Sequence, residues 1–189
     1  MPWPTLDAPH PYVCDWLDDP VEPPPGRRAV VIGCGLGDDA AELARRGFEV
    51  TAFDISRTAV RRAEERSPDV DVDWRVADLL QLPEELVGAF DLVVEVLAVP
   101  LLPGVVRDAA MHAIGTLAAP GGVVLVVAFV AADAATARDW TGPPWPQAPS
   151  EFAAYRAAGL ERLALEHGDP DDEGTLVARI TWRRGALPG

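Results

Sequence analysis

Three closely spaced glycines, Gly33, Gly35 and Gly37, stand between a short apolar run and a polar stretch that is typical of a helix. Glycine is needed where a chain turns sharply and where a ligand lies against bare backbone. The start of the following helix would add unpaired N–H groups and the positive end of the helix dipole. The spacing therefore predicts a site for a carboxylate or phosphate group, and a tight turn without a ligand is the alternative.

Two aspartates follow the next two predicted strands. Asp54 comes about 20 residues after the glycines, where folds of this kind place a carboxylate on the hydroxyls of a ribose. The alternative for Asp54 is a helix cap or turn. Asp78 either accepts a hydrogen bond from an adenine amino group, with Leu79 against the ring, or caps a short turn. Ile55, next to Asp54, is expected to line the same site.

Strands and helices alternate along most of the chain. The predicted strands cover residues 29–32, 49–53, 70–76, 90–96 and 123–129, and the predicted helices cover residues 12–17, 38–46, 56–66, 103–117 and 150–158. This alternation indicates a parallel, doubly wound sheet with right-handed crossovers. A turn is expected at 119–122, and strands at 160–167 and 175–183 indicate an antiparallel hairpin added to the sheet.

These elements predict a single domain over residues 1–189. Residues 1–28 are rich in proline and acid and form a lead-in or lid. Residues 29–130 form the ligand-binding half, and residues 131–189 add a proline-rich loop, a helix and the hairpin. Ligands of open α/β sheets lie beyond the carboxyl ends of the strands, so the glycines and both aspartates should meet at one edge.

Composition narrows the function classes. The net charge is −14, the 16 basic residues are all arginine, and the four arginine pairs are scattered along the chain, so nucleic acid is not expected as a substrate. Two cysteines and three separated histidines predict no metal site. No apolar run reaches the roughly 18–20 residues of a membrane span, and the N-terminus does not resemble a signal peptide. A cytoplasmic protein, monomeric or weakly dimeric, is expected.

Several motifs together resemble the class I S-adenosylmethionine (SAM)-dependent methyltransferases. They are the three glycines, Asp54, Asp78, the run Phe90-Asp91-Leu92-Val93 and the Pro120-Gly121-Gly122 turn, and the resemblance covers residues from about 10 to 184. It implies a Rossmann-like α/β fold with a seven-stranded sheet, mostly parallel with an antiparallel C-terminal strand. It also implies SAM as cofactor and a small-molecule methyl acceptor. The implied cofactor contacts are Gly33, Cys34, Gly35, Gly37, Asp54, Ile55, Asp78, Leu79 and Glu95.

Three stretches resemble the thiopurine S-methyltransferase-like branch of that family, which includes thiol, halide and tellurite methyltransferases. They are the acidic pair within residues 35–40, the Gly-Pro-Pro-Trp loop within 141–146, and the lead-in with Trp3 and His10. This resemblance implies a soft nucleophile as acceptor and a lead-in that closes over the cofactor. Val31 replaces the acid that most class I enzymes carry two residues before the first glycine, as is common in this branch.

Other residues are candidates for the acceptor side. Glu95, at the end of the fourth strand, is predicted to face the crevice and accept a proton or orient the acceptor, with a surface acid as the alternative. Trp145 and Pro143 form either an apolar wall for the acceptor or a loop packed on the core. His10 reaches the site if the lead-in folds over it. Cys34 is interpreted as a small side chain packed under the ligand rather than a nucleophile.

Two other functions fit parts of the pattern. An NAD-dependent oxidoreductase is expected to carry the motif Gly-x-Gly-x-x-Gly, whereas this chain has Gly-x-Gly-x-Gly. A non-catalytic SAM-binding protein is favoured by the apolar stretch 95–102, which offers no tyrosine or threonine to a substrate. Trp3 and Trp16 are either covers for the cofactor or, for Trp16, part of the core.

Overall fold

A seven-stranded sheet organises the chain in the computed structural model, which describes residues 8–169 and 173–185. The strands are β1 (Arg28–Ile32), β2 (Glu49–Asp54), β3 (Val72–Val76), β4 (Phe90–Val96), β5 (Ala118–Ala131), β6 (Leu160–His167) and β7 (Thr175–Arg184). The helices are α1 (Pro11–Asp18), α2 (Asp38–Arg45), α3 (Arg57–Arg66), α4 (Gly104–Leu117), α5 (Ala134–Asp139) and α6 (Ala153–Ala157). Short 3₁₀ turns cover Leu79–Gln81, Glu84–Leu86 and Val99–Leu101.

The strand order is β3-β2-β1-β4-β5-β7-β6. Strands β1 to β5 pair in parallel, while β7 lies antiparallel between β5 and β6. The order reverses between β1 and β4, which makes their carboxyl ends the topological switch point where open sheets of this kind bind ligands. The predicted mostly parallel sheet with an antiparallel C-terminal strand is confirmed.

Apolar side chains fill both faces of the sheet. Phe90 and Val93 of β4 pack on one face with Met111 of α4. Leu92 and Val94 belong to the opposite face, which α1 and α2 cover. Strand β5 is buried on both faces, and each fully buried Val or Leu contributes about 1.5–3 kcal/mol. None of the helices in the described ranges is long and apolar enough to cross a bilayer.

Local signals explain where the helices begin. The Ser56 side chain accepts a hydrogen bond from Ala59 N at 3.3 Å and caps α3, as predicted. Helix α2 begins after Gly37, whose φ of +85° lies in the left-handed region that favours glycine. A Cβ on Gly37 would lie 2.5 Å from the Trp74 ring, so this glycine also lets α2 approach β3.

The structure differs from the predicted elements at three places. The turn expected at 119–122 lies within β5, where the pairing with β4 shifts register between Phe90 and Leu92. Helix α5 was not predicted because it is short and lacks an apolar stripe; only its cap, Asp133, marks it. The helix expected at 150–158 is shorter, since only Ala153–Ala157 is α-helical.

Replacing Gly115 with alanine is expected to lower the free energy of unfolding by about 1–2 kcal/mol. The added methyl would lie 2.5 Å from Ala158 Cβ, and such overpacking outweighs a helix-propensity gain of about 0.5–1 kcal/mol. Gly104, in the same helix, has open space around its Cα, so Gly104→Ala should leave stability unchanged or slightly raised. Urea denaturation measures both, and equal effects would contradict the packing of α4 on α6.

Candidate functional site

A cavity of about 890 Å³ lies at the carboxyl ends of β1 to β4. The glycine loop, the end of β2 and the segments after β3 and β4 form its walls. Eight of the predicted site residues line it, namely Gly33, Cys34, Gly35, Gly37, Asp54, Ile55, Asp78 and Leu79. The structure therefore brings the two aspartates and the glycines to one edge of the sheet, as their positions at strand ends predict.

The three glycines serve different purposes. A Cβ on Gly35 would come no closer than 4.0 Å to another atom, the Gly33 carbonyl oxygen, so bare backbone faces open space there. A Cβ on Gly33 would lie 2.9 Å from Ala98 Cβ, which makes this glycine a contact point with the segment after β4. Gly37 packs against Trp74, as described above. Gly35 is therefore the glycine that leaves room for a ligand.

Asp54 braces the glycine loop and also lines the cavity. Its Oδ2 accepts a hydrogen bond from Gly35 N at 3.1 Å, and its Oδ1 accepts one from Ser56 N at 2.8 Å. Each carboxylate oxygen has a second acceptor site. The turn interpretation thus describes the contacts that Asp54 makes within the chain, and its carboxylate retains capacity to accept from the cavity side.

Like Asp54, Asp78 both stabilises a turn and lines the cavity. Its Oδ1 accepts from Leu80 N at 2.9 Å and its Oδ2 accepts from Gln81 Nε2 at 3.0 Å, so it caps the turn after β3. It lines the cavity together with Leu79. The side chains of Ile55 and Leu80 stand on the same wall with 72% and 45% of their surfaces exposed, which provides apolar surface beside the two carboxylates.

Cys34 lies in the glycine loop without the character of a nucleophile. Its backbone N–H donates to Phe53 O at 3.0 Å. Burial raises the pKa of the Cys34 thiol to about 12, and the nearby charge of Asp54 acts in the same direction. The group is therefore a neutral thiol at physiological pH, in agreement with its interpretation as a packing residue.

Glu95 does not occupy the predicted place. Its side chain is fully buried and is not among the residues that line the cavity, so the prediction that it faces the crevice is wrong. Its Oε1 accepts from Ala98 N at 2.6 Å and from Val99 N at 3.0 Å. Burial raises the pKa of Glu95 to about 7, against the opposing effect of those two N–H donors.

Trp145 and Pro143 also do not line the cavity. Trp145 is half-buried and its N–H donates to Pro100 O at 2.8 Å, while Pro143 is exposed. The buried Arg107 holds this loop, because its Nη2 donates to Trp145 O at 3.1 Å and its Nη1 pairs with Glu151 at 3.2 Å. The loop-packing interpretation of Trp145 is the one the contacts support.

The lead-in is attached to the domain by contacts between residues that are distant in sequence, which sequence patterns do not predict. The Nδ1 of the buried His10 accepts from Tyr12 N at 3.1 Å and caps α1, and burial lowers the pKa of His10 against the raising effect of Asp15. His10 is therefore a capping residue outside the cavity lining, contrary to its predicted place beside the acceptor. Trp16 lies in the core and donates to Thr181 Oγ1 at 3.1 Å. Trp3 lies outside the described residues.

The cavity also contains residues that were not predicted as its lining. Asp38 and Asp39, at the start of α2, contribute two more carboxylates, and burial raises the pKa of Asp39 to about 6. Asp39 Oδ1 accepts from His10 N at 2.7 Å. The segment 96–102 adds an entirely apolar wall. The sequence contains signals for both parts of the lining. Asp38 and Asp39 form an acidic pair directly after the glycines, and the apolar stretch 96–102 follows the fourth strand.

The sequence has relatives among methyltransferases. Residues 29–122 match the model of a family described as a methyltransferase domain. An uncharacterized methyltransferase of Mycobacterium tuberculosis is 38% identical over 110 residues, which is 57% of this chain and 53% of that protein. A ubiquinone biosynthesis O-methyltransferase of Azotobacter vinelandii is 33% identical over 118 residues, which is 61% of this chain and 49% of that protein. The chain spans about half the length of these curated relatives.

The fold has a counterpart that matches over nearly the whole length of both chains. The crystal structure of a SAM-dependent methyltransferase from Methanosarcina mazei superposes with a TM-score of 0.71. The match covers 95% of this chain and 99% of that one at 17% sequence identity. The likeness is one of fold.

Cys34 is expected to resist alkylation by iodoacetamide in the folded protein at pH 8. A thiol with a pKa of about 12 is ionised there to only about one part in 10,000, and its reactivity should rise with pH. In guanidinium chloride, where the chain is unfolded, both Cys34 and Cys14 should react readily. Mass spectrometry of peptides locates the modification, and rapid labelling of Cys34 in the folded state would contradict its burial.

Proposed function

We propose that this chain binds SAM and transfers its methyl group to a small molecule, because residues 29–122 match a family described as a methyltransferase domain and the fold resembles that of a SAM-dependent methyltransferase. The observation that carries the proposal is the position of Gly35. Its bare backbone faces a cavity of about 890 Å³, within the range typical of small-molecule sites, and Asp54 stands beside it.

The residues on the walls suit the parts of SAM. We assign the carboxylate of its amino-acid end to the open space over Gly35 beside the start of α2, where the first N–H groups of the helix and its dipole favour an anion. We assign the ribose hydroxyls to Asp54, which retains acceptor capacity, and the adenine to Asp78 and Leu79. A diol and a carboxylate are complementary because both hydroxyls can donate to its two oxygens.

Asp39 supplies a charge that this assignment needs. The amino-acid end of SAM carries an ammonium group as well as a carboxylate, and Asp39 lines the cavity at the start of α2. We propose Asp39 as the counter-charge for that ammonium. An ammonium beside it would favour the ionised carboxylate, opposing the burial that raises the pKa of Asp39 to about 6.

The opposite wall suits an acceptor that brings its own nucleophile. SAM, when bound, supplies a methyl group that its sulfonium already activates. The residues Val96, Leu101 and Leu102 on this wall have exposed apolar surface that excludes water and orients an apolar group. Cys34 stays protonated and Glu95 is buried away from the cavity, so neither serves as a base there. These features favour a thiol or other soft nucleophile over an acceptor that must be deprotonated by the protein.

The resemblance of residues 35–40 and 141–146 to the thiopurine S-methyltransferase-like branch supports the same acceptor class. The net charge of −14 favours a small molecule over nucleic acid. Orientation of donor and acceptor within such a site contributes on the order of 7–11 kcal/mol to lowering a barrier, which makes positioning the main task of the protein.

A non-catalytic SAM-binding protein is the second candidate. The apolar wall at 96–102 favours it, because this wall offers an acceptor no polar side chain. The methyltransferase and the non-catalytic binding protein would bind SAM in the same way. They differ only in whether the methyl group of SAM is transferred to an acceptor. Transfer assays with labelled SAM therefore distinguish them.

Asp54→Ala is expected to weaken SAM binding tenfold or more. Loss of a hydrogen bond to a charged group corresponds to about 1.5–3 kcal/mol. Asp73→Ala is the matched control, since Asp73 is exposed on β3 and pairs only with Arg75 among the contacts described. Isothermal titration calorimetry measures both. A folded Asp54→Ala protein with the affinity of the wild type would remove Asp54 from the proposed site.

Labelled methyl from SAM should appear on small thiols at a rate well above that of simple hydroxylated aromatics. The reason is that a thiolate forms at neutral pH without help from a protein base, whereas a phenol with a pKa near 10 largely does not. The assay compares thiols, halides, tellurite and phenols with wild type, using Asp54→Ala as the negative control. Binding of SAM without transfer to any acceptor would support the non-catalytic alternative instead.

A further inference from the structure

The buried carboxylate of Glu95 holds a segment that forms one wall of the cavity. Strand alternation places Glu95 on the same face of β4 as Val93. Its Oε1 accepts from the N–H groups of Ala98 and Val99, at 2.6 and 3.0 Å. Ala98 and Val99 both line the cavity, although Glu95 does not. The carboxylate therefore acts on the cavity through the backbone that it binds.

The held segment adopts a backbone conformation that does not form easily by itself. Leu97 has a φ of +56°, the one positive φ outside glycine in the described ranges. For a residue with a branched apolar side chain, this left-handed conformation is unfavourable, because its Cβ comes too close to the following carbonyl oxygen. The Leu97 N–H donates to Val127 O at 2.8 Å, and Glu95 holds the next two N–H groups. Together these contacts keep the chain turned at the end of β4.

The turned segment approaches the glycine loop closely where Ala98 faces Gly33. A Cβ on Gly33 would lie 2.9 Å from Ala98 Cβ, so the two walls are already in contact there. Any displacement of Ala98 N away from Glu95 would change the separation between the loop that starts at Gly33 and the apolar wall. The hydrogen bonds of Glu95 therefore act on the part of the wall that lies nearest to the glycine loop.

We propose that Glu95 is a positioning residue for methyl transfer: by holding the N–H groups of Ala98 and Val99, it fixes the apolar wall against Gly33 and sets the space around the donor methyl group. This inference rests on the proposed function. It assigns Glu95 no contact with substrate or cofactor. Both N–H groups donate to the same atom, Oε1. The proposed role of Glu95 therefore depends more on an acceptor oxygen at that position than on a negative charge.

Calorimetric titration with SAM and with its demethylated product, S-adenosylhomocysteine, tests the inference without an identified acceptor. The two ligands differ at the methyl-bearing sulfur, so their affinity ratio reports on the space around it. Glu95→Ala should change this ratio at least fivefold. Glu95→Gln keeps an oxygen acceptor and should restore the ratio to within twofold of wild type. Tyr155→Phe removes a buried, unpartnered hydroxyl nearby in the core and serves as the matched control, with an unchanged ratio.

A second variant reaches the same wall without disturbing the buried carboxylate. Ala98→Gly removes the methyl group that lies against Gly33, and it should change the ratio of the affinities for SAM and S-adenosylhomocysteine at least threefold. This variant tests the inference even if Glu95→Ala does not fold. A Glu95→Ala protein that loses affinity for both ligands by the same factor, or an unchanged ratio in Ala98→Gly, would overturn the inference alone. A wild-type protein that binds neither ligand would overturn the proposed function and this inference together.

Discussion

Backbone N–H groups at the carboxyl ends of the central strands must find acceptors without filling the space beyond them. The parallel strands end there and the chain turns away, so the ladder between strands cannot satisfy the turns. Carboxylates at or just beyond three strand ends meet this need, each accepting from the backbone of a turn beside the cavity: Asp54, Asp78 and Glu95. The cavity keeps its shape because the carboxyl oxygens of these residues hold the backbone of its walls.

The same arrangement explains how a carboxylate can have both a structural and a binding role. Asp54 and Asp78 stand at the surface of the cavity, where each oxygen can accept from the chain and from a ligand together. Glu95 lies one layer deeper, where burial raises its pKa to about 7 and leaves Oε2 without a partner among the described residues. The difference in burial means that Asp54 and Asp78 can contact a ligand, whereas Glu95 can affect the cavity only through the backbone N–H groups that it binds.

Much of this could be predicted from the sequence, because the sheet order follows from alternating strands and helices, and strand ends share an edge. That reasoning predicted that Asp54 and Asp78 meet the glycines at one edge of the sheet, and both line the same cavity as the glycine loop. It failed for Glu95, since a position near the end of a strand does not reveal whether the side chain turns toward the cavity or into the core. It also failed for His10, whose place depends on contacts with residues distant in sequence. The Trp145 loop was left open between two interpretations because its anchor, Arg107, lies far away along the chain.

The strand order also leaves β3 and β6 as the two edges of the sheet. Both edges carry charged side chains, including Asp73 and Arg75 on β3 and Glu161 and Glu166 on β6. Charges on an edge strand oppose the addition of a further strand from another molecule, which is the usual route to fibrillar aggregation. The charged edges therefore oppose the joining of sheets between copies of this protein that meet in a crowded solution.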